Sequence, residues 1–441
     1  MLETIRTSRY TIKEILKDNW DDFYARHKGM IRPAVIENVA KVMACGDKNI
    51  LGYNTYVCPG CREKRFVPHT CKSRFCNACG KVKNDEWTEK AQTRLFNIPH
   101  KHLVFSVPWE IRLLFLENRR LLSYLHQSVG QAISDWAETV DLLPGILTVL
   151  HTFGSKLNFN CHIHVLYSLG GVDLKTGQFK EYSFIPATSV KSRFKTILLS
   201  KLRQEFVSGG FKVSGNLSAL WRKKFGTDVF FDIQNILWRK EWYVWIGEQL
   251  DNASHSVAYI GRYAKRPCLS EAKITAYEPD NDLVDFVYRD KLTKEDTLIE
   301  FGIDEFIGRL IRHVPEKGFN MIRYYGMYAN VLKEKILRIL AQRLIYLYGR
   351  VYMLFEPHIL TWRERKKKSD CRDPLFCKKC ERDFILIEIS YRTRDGTWKS
   401  FPVTCGVQYP KQPFRRLNDG RDVLDSIGRT SGFEILTVLT D

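Results

Sequence analysis

The sequence predicts an α+β chain: a central antiparallel sheet with helices on one face, preceded by a cysteine-rich metal-binding segment and followed by a basic tail that holds further cysteines. Three observations lead there. Short apolar blocks bounded by Gly and Pro, rich in strand formers, cluster between about residues 100 and 172. Longer segments on both sides carry apolar residues at helical spacing. Ten of the twelve cysteines fall in two groups, six between Cys45 and Cys79 and four between Cys371 and Cys405.

A chain of 441 residues suggests two or three domains, at roughly 150 residues each. With 44% hydrophobic and 27% charged residues it can bury a core of ordinary composition. No apolar run reaches the ~18 residues of a membrane helix, and the start, MLETIRTSRYTIKEILKDNW, lacks the apolar centre of a signal peptide. A cytoplasmic location, with no membrane partner, is the expectation. The 69 Lys and Arg against 50 Asp and Glu give a net charge of +19, which favours a polyanion, first of all nucleic acid. Clustered cysteines in such a compartment point to metal ligands and away from disulfides.

Along the chain, EILKDNWDDFYARHK (Ile15, Leu16, Trp20, Phe23) and PAVIENVAKVMAC read as helices. Cysteine-rich loops follow, then a polar helix around NDEWTEKAQTRLF, closing a first domain at residues 1–98. HKHLVFSVP reads as a strand ended by Pro108, and LLSYLHQSVGQAISDWAE as an amphipathic helix. GILTVLHTFG and FNCHIHVLYSLGG read as an antiparallel strand pair, with a turn around Ser155 to Asn158. The stretch to about Gln249 is of mixed character, with a lysine-rich helix near 191–206; WYVWIG is a strand and HSVAYIGRYAKRP a helix ended at Pro267. Strands near ITAY and LVDFVYRD and helices at EFIGRLIRHV and NVLKEKILRILAQRLIYLYG complete a second domain, 99–345, and a tail, 346–441, contains the basic run RERKKK.

In CPGCREKRFVPHTCKSRFCNACG, Cys58-x2-Cys61 and Cys76-x2-Cys79 are two knuckles fourteen residues apart. Four thiolates on two knuckles make a closed tetrahedral zinc site, the expected structural role; buried free cysteines are the plain competing reading. Cys45, His69 and Cys71 are further candidates. Arg62, Lys64, Arg65, Lys72 and Arg74, interleaved with Phe66 and Phe75, suit DNA contact by phosphate neutralisation and base stacking; a solvated basic face competes.

His162 and His164 sit two apart on a strand and share one face, where two imidazoles can hold a divalent cation. Half-buried polar residues are the competing reading. A third ligand is required, with Asn160 and His102 as candidates. Tyr259 and Tyr263, four apart on a helix, share a face, with Arg262, Lys265 and Arg266 around them to hold phosphate oxygens and favour the phenolate. Tyrosine is a competent covalent nucleophile. Gly261 between them suggests close approach of a DNA strand. Core packing is the competing reading, and Tyr324 with Tyr328 in IRYYGMYAN is a rival pair.

The motifs TCKSRFCNAC, HLVFSVP, NCHIH, YIGRYAKRP and RHVPEKGFNMIRYYGMY, in this order across about residues 20–345, resemble the insertion sequence 91 family of rolling-circle transposases. These are two-tyrosine relatives of the His-hydrophobe-His (HUH) nucleases. The resemblance implies an HUH-type nuclease core and a catalytic magnesium or manganese ion on His162 and His164. It implies attack by Tyr259 and Tyr263, rather than Tyr324 and Tyr328, on single-stranded DNA. The 5′ end becomes joined to tyrosine and a 3′ hydroxyl is freed; the second tyrosine serves a further transfer. Transposon-end hairpins and target DNA are the implied partners, and the nucleoid the implied setting. Asn77 stands where the family often has Pro, and Ile163 lies between the histidines as the motif allows.

In the tail, Cys377-x2-Cys380, with Cys371 before and Cys405 after, offers four ligands at a spacing outside the usual zinc pattern. Arg363, Arg365 and Lys366 to Lys368 are a DNA contact or a solvated linker. Two other functions fit parts of the chain: a rolling-circle replication initiator or relaxase, and a non-catalytic zinc-dependent DNA-binding regulator.

Overall fold

The structure, a computed structural model, describes residues 10–92, 94–264, 267–290, 293–332, 335, 336, 338, 339, 360–370, 373–393 and 396–403. Lys265, Arg266, Cys371, Cys405 and most of the helix expected after Asn330 lie outside the described residues. The chain divides into two compact units, Met1–Gly46 with Thr70–Asp373, and Asp47–His69 with Pro374–Asp441. Their limits differ from the linear divisions at 98 and 345, because Tyr53–Val57 pairs antiparallel with Ile385–Arg392.

The first unit is built on an antiparallel sheet. Its strand order is Ile322–Gly326, Leu142–Phe153, Phe159–Asp173, His100–Ser106, Tyr243–Leu250, with the short strand Phe179–Lys180 added to Phe159–Asp173. Alternation along each strand divides the side chains between two faces. One face carries Leu103, Phe105, Ile146, Leu150, Ile163, Val165 and Tyr167 into a core with the helices Leu122–Glu138 and Ala187–Val207. The other carries Leu147, Val149 and Leu166 against Trp87 and Ala91 of the helix Asn77–Gln92 and Val257 and Ile260 of the helix Ala253–Ala264. Helices therefore cover both faces of the sheet, where the sequence reading placed them on one. The "mixed" stretch holds two helices, Gly215–Phe225 and Phe230–Arg239, which bury Trp221, Phe230 and Ile233 in the first core.

A second core in the same unit joins the first two helices, Ile12–Arg26 and Pro33–Met43, to a later three-stranded sheet (Ile274–Glu278, Leu283–Arg289, Asp296–Phe301) and the helix Ile303–Ile311. The first helix is fixed at both ends. Thr11 and Glu14 form a capping box, and Arg26 pairs with Asp304 at 2.6 Å.

The second unit is a four-stranded antiparallel sheet, ordered Trp398–Pro402, Ile385–Arg392, Tyr53–Val57, Lys64–Pro68, with a two-stranded ribbon of Phe376–Cys377 and Arg382–Asp383.

Candidate functional site

The histidines meet on the sheet face covered by the Ala253–Ala264 helix. In the hairpin, His151 lies directly across from His162, and Val149 across from His164, so parity puts His151, His162 and His164 on that face. One nitrogen from each of the three falls within a sphere where all lie within 4.8 Å of one another. His151 is a candidate third ligand, which the sequence reading did not find. A signal for it existed: a hairpin centred on the turn Ser155 to Asn158 pairs residue 151 with residue 162.

Hydrogen bonds orient these rings. His162 donates from Nδ1 to the Asn160 carbonyl at 2.8 Å, and its Nε2 lies 3.1 Å from Nε2 of His164. His164 Nδ1 meets His102 Nε2 at 2.9 Å. His102 is 3% exposed, and burial, with smaller contributions from the Arg262 and His162 charges, pushes its pKa down to about 4. A neutral His102 accepts the Nδ1 proton of His164 and leaves the His164 Nε2 lone pair for a cation. His102 thus stands behind His164 and outside the cluster itself. Asn160 supplies a carbonyl to His162, while its own side-chain Oδ1 is buried with no hydrogen-bond partner. Two ligand atoms at ~2.1 Å from an ion and at right angles lie about 3.0 Å apart, close to the separation of the two Nε2 atoms. The residues therefore fit a divalent cation.

Both tyrosines of the helix face these rings. Tyr263 stacks on His164, with ring centroids 4.2 Å apart, and its carbonyl accepts a hydrogen bond from His151 Nε2 at 2.5 Å. Tyr259 packs against His102 at 4.9 Å and Tyr263 at 5.7 Å. The Arg262 guanidinium lies 4.5 Å from the Tyr259 ring centre. Burial, with hydrogen bonding to Tyr263, raises the Tyr259 pKa to about 12, against the opposing Arg262 charge. Of the three expected cations only Arg262 is among the described residues, and its charge does not outweigh burial, so the resting hydroxyl is protonated. Gly261 is buried against the Asn77–Gln92 helix: a Cβ there would come 2.8 Å from Thr88 Oγ1. It serves helix packing, a correction to the DNA-approach reading. In the rival pair, Tyr328 is 3% exposed, with its hydroxyl 2.5 Å from His100 Nε2. Tyr324 lies under Arg94, 3.9 Å from its guanidinium.

The cysteines regroup. Cys76 and Cys79 cluster with Cys45 and Cys71, and Cys58 and Cys61 with Cys377 and Cys380. The single site expected from Cys58, Cys61, Cys76 and Cys79 is therefore corrected: the two knuckles belong to different compact units. In the first cluster the sulfurs of Cys45 and Cys79 are 3.6 Å apart, Cys71 and Cys79 3.5 Å, and Cys45 and Cys76 3.7 Å. A zinc–sulfur bond of ~2.3 Å puts the corners of a tetrahedron ~3.8 Å apart, so these four fit structural zinc. His69 is not in either cluster; its ring nitrogens bond to the Leu51 carbonyl and Asn54 Oδ1 at 3.1 and 2.9 Å.

Of the basic residues expected at DNA, Arg62, Lys64 and Lys72 are exposed. Arg65 bonds to the Pro374 carbonyl and lies over the Phe384 ring at 4.3 Å. Arg74 is half-buried beside Cys268, with burial lowering its pKa to about 10, and Phe75 is in the core. Arg65 and Arg74 thus hold the protein's own structure. The tail's Arg363, Arg365 and Lys367 lie in a helix, Trp362–Asp370, that the sequence reading missed. There they pair with Asp373, Glu89 and Asp373 at 2.7, 2.5 and 2.6 Å.

A sheet with helices on both faces carries a histidine cluster beneath two tyrosines, and two cysteine clusters could hold zinc; comparison with known families gives the class. Residues 145–335 match the family described as "Putative transposase", and residues 15–107 match "Transposase zinc-binding domain". The chain is 29% identical over 313 residues to the transposase for insertion sequence element IS801 of Pseudomonas savastanoi pv. phaseolicola, covering 69% of this chain and 72% of that one. It is 26% identical over 296 residues to "Putative transposase y4qJ" of Sinorhizobium fredii, covering 65% and 72%. No solved structure matches the chain. The chain belongs to the insertion sequence 91 family of transposases. A transposase has DNA as its partner, and the net charge of +19 suits it. Among the described residues no helix is long and apolar enough to cross a membrane.

Proposed function

We propose that this transposase cuts and rejoins single-stranded transposon ends by tyrosine attack, in a rolling-circle mode of DNA transposition. The observation that carries the reading is the placement of Tyr263 directly against the His151, His162 and His164 cluster, with Tyr259 one turn away on the same helix against Tyr263 and His102. A cation on those three histidines would draw charge from a scissile phosphate. Magnesium or manganese, the ions that the family resemblance implies, is the proposed cation. The tyrosine hydroxyl attacks phosphorus, a P–O bond to the tyrosine forms as the bond to the 3′ oxygen breaks, and the phenolic proton is released as the 3′ oxygen gains one. The bond energy is kept in a 5′-phosphotyrosine, which a later 3′ hydroxyl reverses. Two tyrosines permit two such transfers in succession. Incubation of the full chain with manganese and a labelled single strand carrying a transposon end should give a covalent adduct. Peptide mapping should then locate it at Tyr259 or Tyr263. A regulator without catalysis would give none.

Single-stranded substrate is supported by exposed aromatics beside basic groups. Tyr243 and Trp245, 60% and 40% exposed, lie on the histidine face of the edge strand, with Trp245 5.3 Å from His102. In the second unit, Phe66, Tyr53 and Trp398 form a row across one sheet face, with centroid spacings of 5.2 and 6.3 Å. Lys48 lies over Phe66 at 5.9 Å. Unpaired bases stack on such rows at ~1–3 kcal/mol each, whereas duplex bases are already stacked. Trp245→Ala and the pair Phe66→Ala with Trp398→Ala are each expected to weaken single-strand binding roughly 5- to 100-fold. Binding titrations against salt should show the slope unchanged, while Lys48→Ala with Lys64→Ala makes it shallower. Equal losses on duplex DNA would count against base stacking.

A further inference from the structure

Cys58 and Cys61 sit on the turn between the strands Tyr53–Val57 and Lys64–Pro68, and Cys377 and Cys380 on the turn of the two-stranded ribbon. Their four sulfurs lie within 4.8 Å of one another, with Cys61 and Cys377 3.7 Å apart, near the ~3.8 Å edge of a zinc tetrathiolate. The two turns are built alike. In each, the residue after the second cysteine takes a left-handed conformation, Arg62 at φ 59° and Glu381 at φ 52°. In each, two backbone N–H groups aim at the first sulfur: those of Gly60 and Cys61 at Cys58, and those of Lys379 and Cys380 at Cys377. Gly60 is needed for the approach, since a Cβ there would lie 2.9 Å from the Cys380 sulfur. Lys379 and Glu63 pair across the two turns at 3.3 Å.

Among the described residues of the unit the buried apolar cluster is small: Cys58, Leu375, Cys377 and Phe384, with Tyr56, Val67 and Cys380 half-buried around it. A core of that size does not stabilise a small sheet without a staple. Three of the four cluster members that reach across the unit come from the tail, so neither segment completes the core alone.

We propose that Cys58, Cys61, Cys377 and Cys380 form a second structural zinc site, separate from the Cys45, Cys71, Cys76 and Cys79 site, which fastens the C-terminal segment to the Asp47–His69 segment. Even the nearest ligands of the two segments, Cys61 and Cys377, are 316 residues apart in sequence. Neither the zinc-binding family match, which ends at residue 107, nor the tyrosine chemistry requires it. Cys61 is exposed, whereas Cys45, Cys76 and Cys79 are all buried, so a chelator should reach the second ion first.

The test counts zinc by elemental analysis in the full chain carrying His162→Ala and His164→Ala, so that the histidine cluster adds none. Two ions per chain are expected. Cys377→Ser with Cys380→Ser, and Cys58→Ser with Cys61→Ser, should each leave one, and combining all four should still leave one. Adding Cys76→Ser with Cys79→Ser to either pair should leave none. Retention of two ions by the Cys377 and Cys380 variant would overturn the proposal. So would one ion in the parent chain. A measurement on unsubstituted protein guards against misfolding of the variants: chelation in the presence of a mild thiol oxidant, then mapping of the disulfides. Links joining Cys58 or Cys61 to Cys377 or Cys380 are expected, and links joining them to Cys76 or Cys79 would refute the ligand set.

Discussion

Replacing His151 by Ala is expected to lower single-strand cleavage roughly 10³-fold or more, as much as His162→Ala or His164→Ala, while DNA affinity changes little. The estimate follows from the several kcal/mol that a bound cation contributes to charge neutralisation at phosphorus, at about 1.4 kcal/mol per tenfold in rate. His151 comes from a different strand than the other two and is placed by register, directly across from His162. It also donates to the Tyr263 carbonyl, so its loss would disturb both the cation and the tyrosine helix. His102 separates these effects. It touches His164 Nδ1 and is absent from the three-histidine cluster. His102→Ala should cost ~10–100-fold, the usual effect of losing an outer partner of a metal ligand, and added manganese should recover part of it. His102→Gln restores an acceptor and should recover more. Cleavage rates across a manganese titration, with binding measured in parallel, distinguish the roles. A His151→Ala enzyme that cleaves at the parent rate would remove His151 from the site.

Local pattern carried much of this fold. The helices at Ile12–Arg26, Pro33–Met43, Leu122–Glu138 and Ala253–Ala264 follow the apolar spacing of their own residues, and the strands at His100–Ser106 and Phe159–Asp173 follow theirs. Gly215–Phe225 opens on glycine and ends in a basic run that weakens its period, whereas Phe230–Arg239 carries a clear apolar face of Phe230, Ile233 and Leu237 that was there to be read. Ile322–Gly326, part of IRYYGMY, is an edge strand whose five residues are all half-buried, so it shows no alternation to read. The histidine pair was legible because two residues apart on a strand is a local relation. His151 required the hairpin register, which the turn position supplies. The cysteine pairing had no local signal: four cysteines in two knuckles fourteen residues apart look like one site, and only a strand pairing between Tyr53–Val57 and Ile385–Arg392 carries Cys58 and Cys61 to the tail. Of the basic residues, charge alone did not distinguish Lys64, exposed, from Arg65, which is bound to a carbonyl and an aromatic ring.

Changing both Tyr259 and Tyr263 to Phe is expected to remove all covalent protein–DNA product, a loss limited only by detection, while each single change removes one adduct or one step. Phe keeps the ring, and the rings do much of the packing here: Tyr263 on His164 and Tyr259 on His102. Folding, zinc content and DNA binding should therefore survive, so that loss of product reports the hydroxyls. The two singles should differ. Tyr263 is stacked on a cluster histidine, whereas Tyr259 lies one helical turn earlier, nearer Arg262, with its pKa raised to about 12 by burial. We expect Tyr263→Phe to abolish the first cleavage and Tyr259→Phe to spare it but block the second transfer. The measurement is a gel assay of adducts on strands carrying one or two cleavage points, with peptide mapping of the linked residue. A structural role for both tyrosines predicts parental adduct levels in every variant. Adducts persisting in the double variant would move the nucleophile elsewhere, with Tyr324 and Tyr328 next in line. Tyr328 is a poor candidate on its surroundings, because burial raises its pKa far beyond the ordinary phenol range and its hydroxyl is bound to His100. Tyr324→Phe with Tyr328→Phe should accordingly leave adduct formation intact.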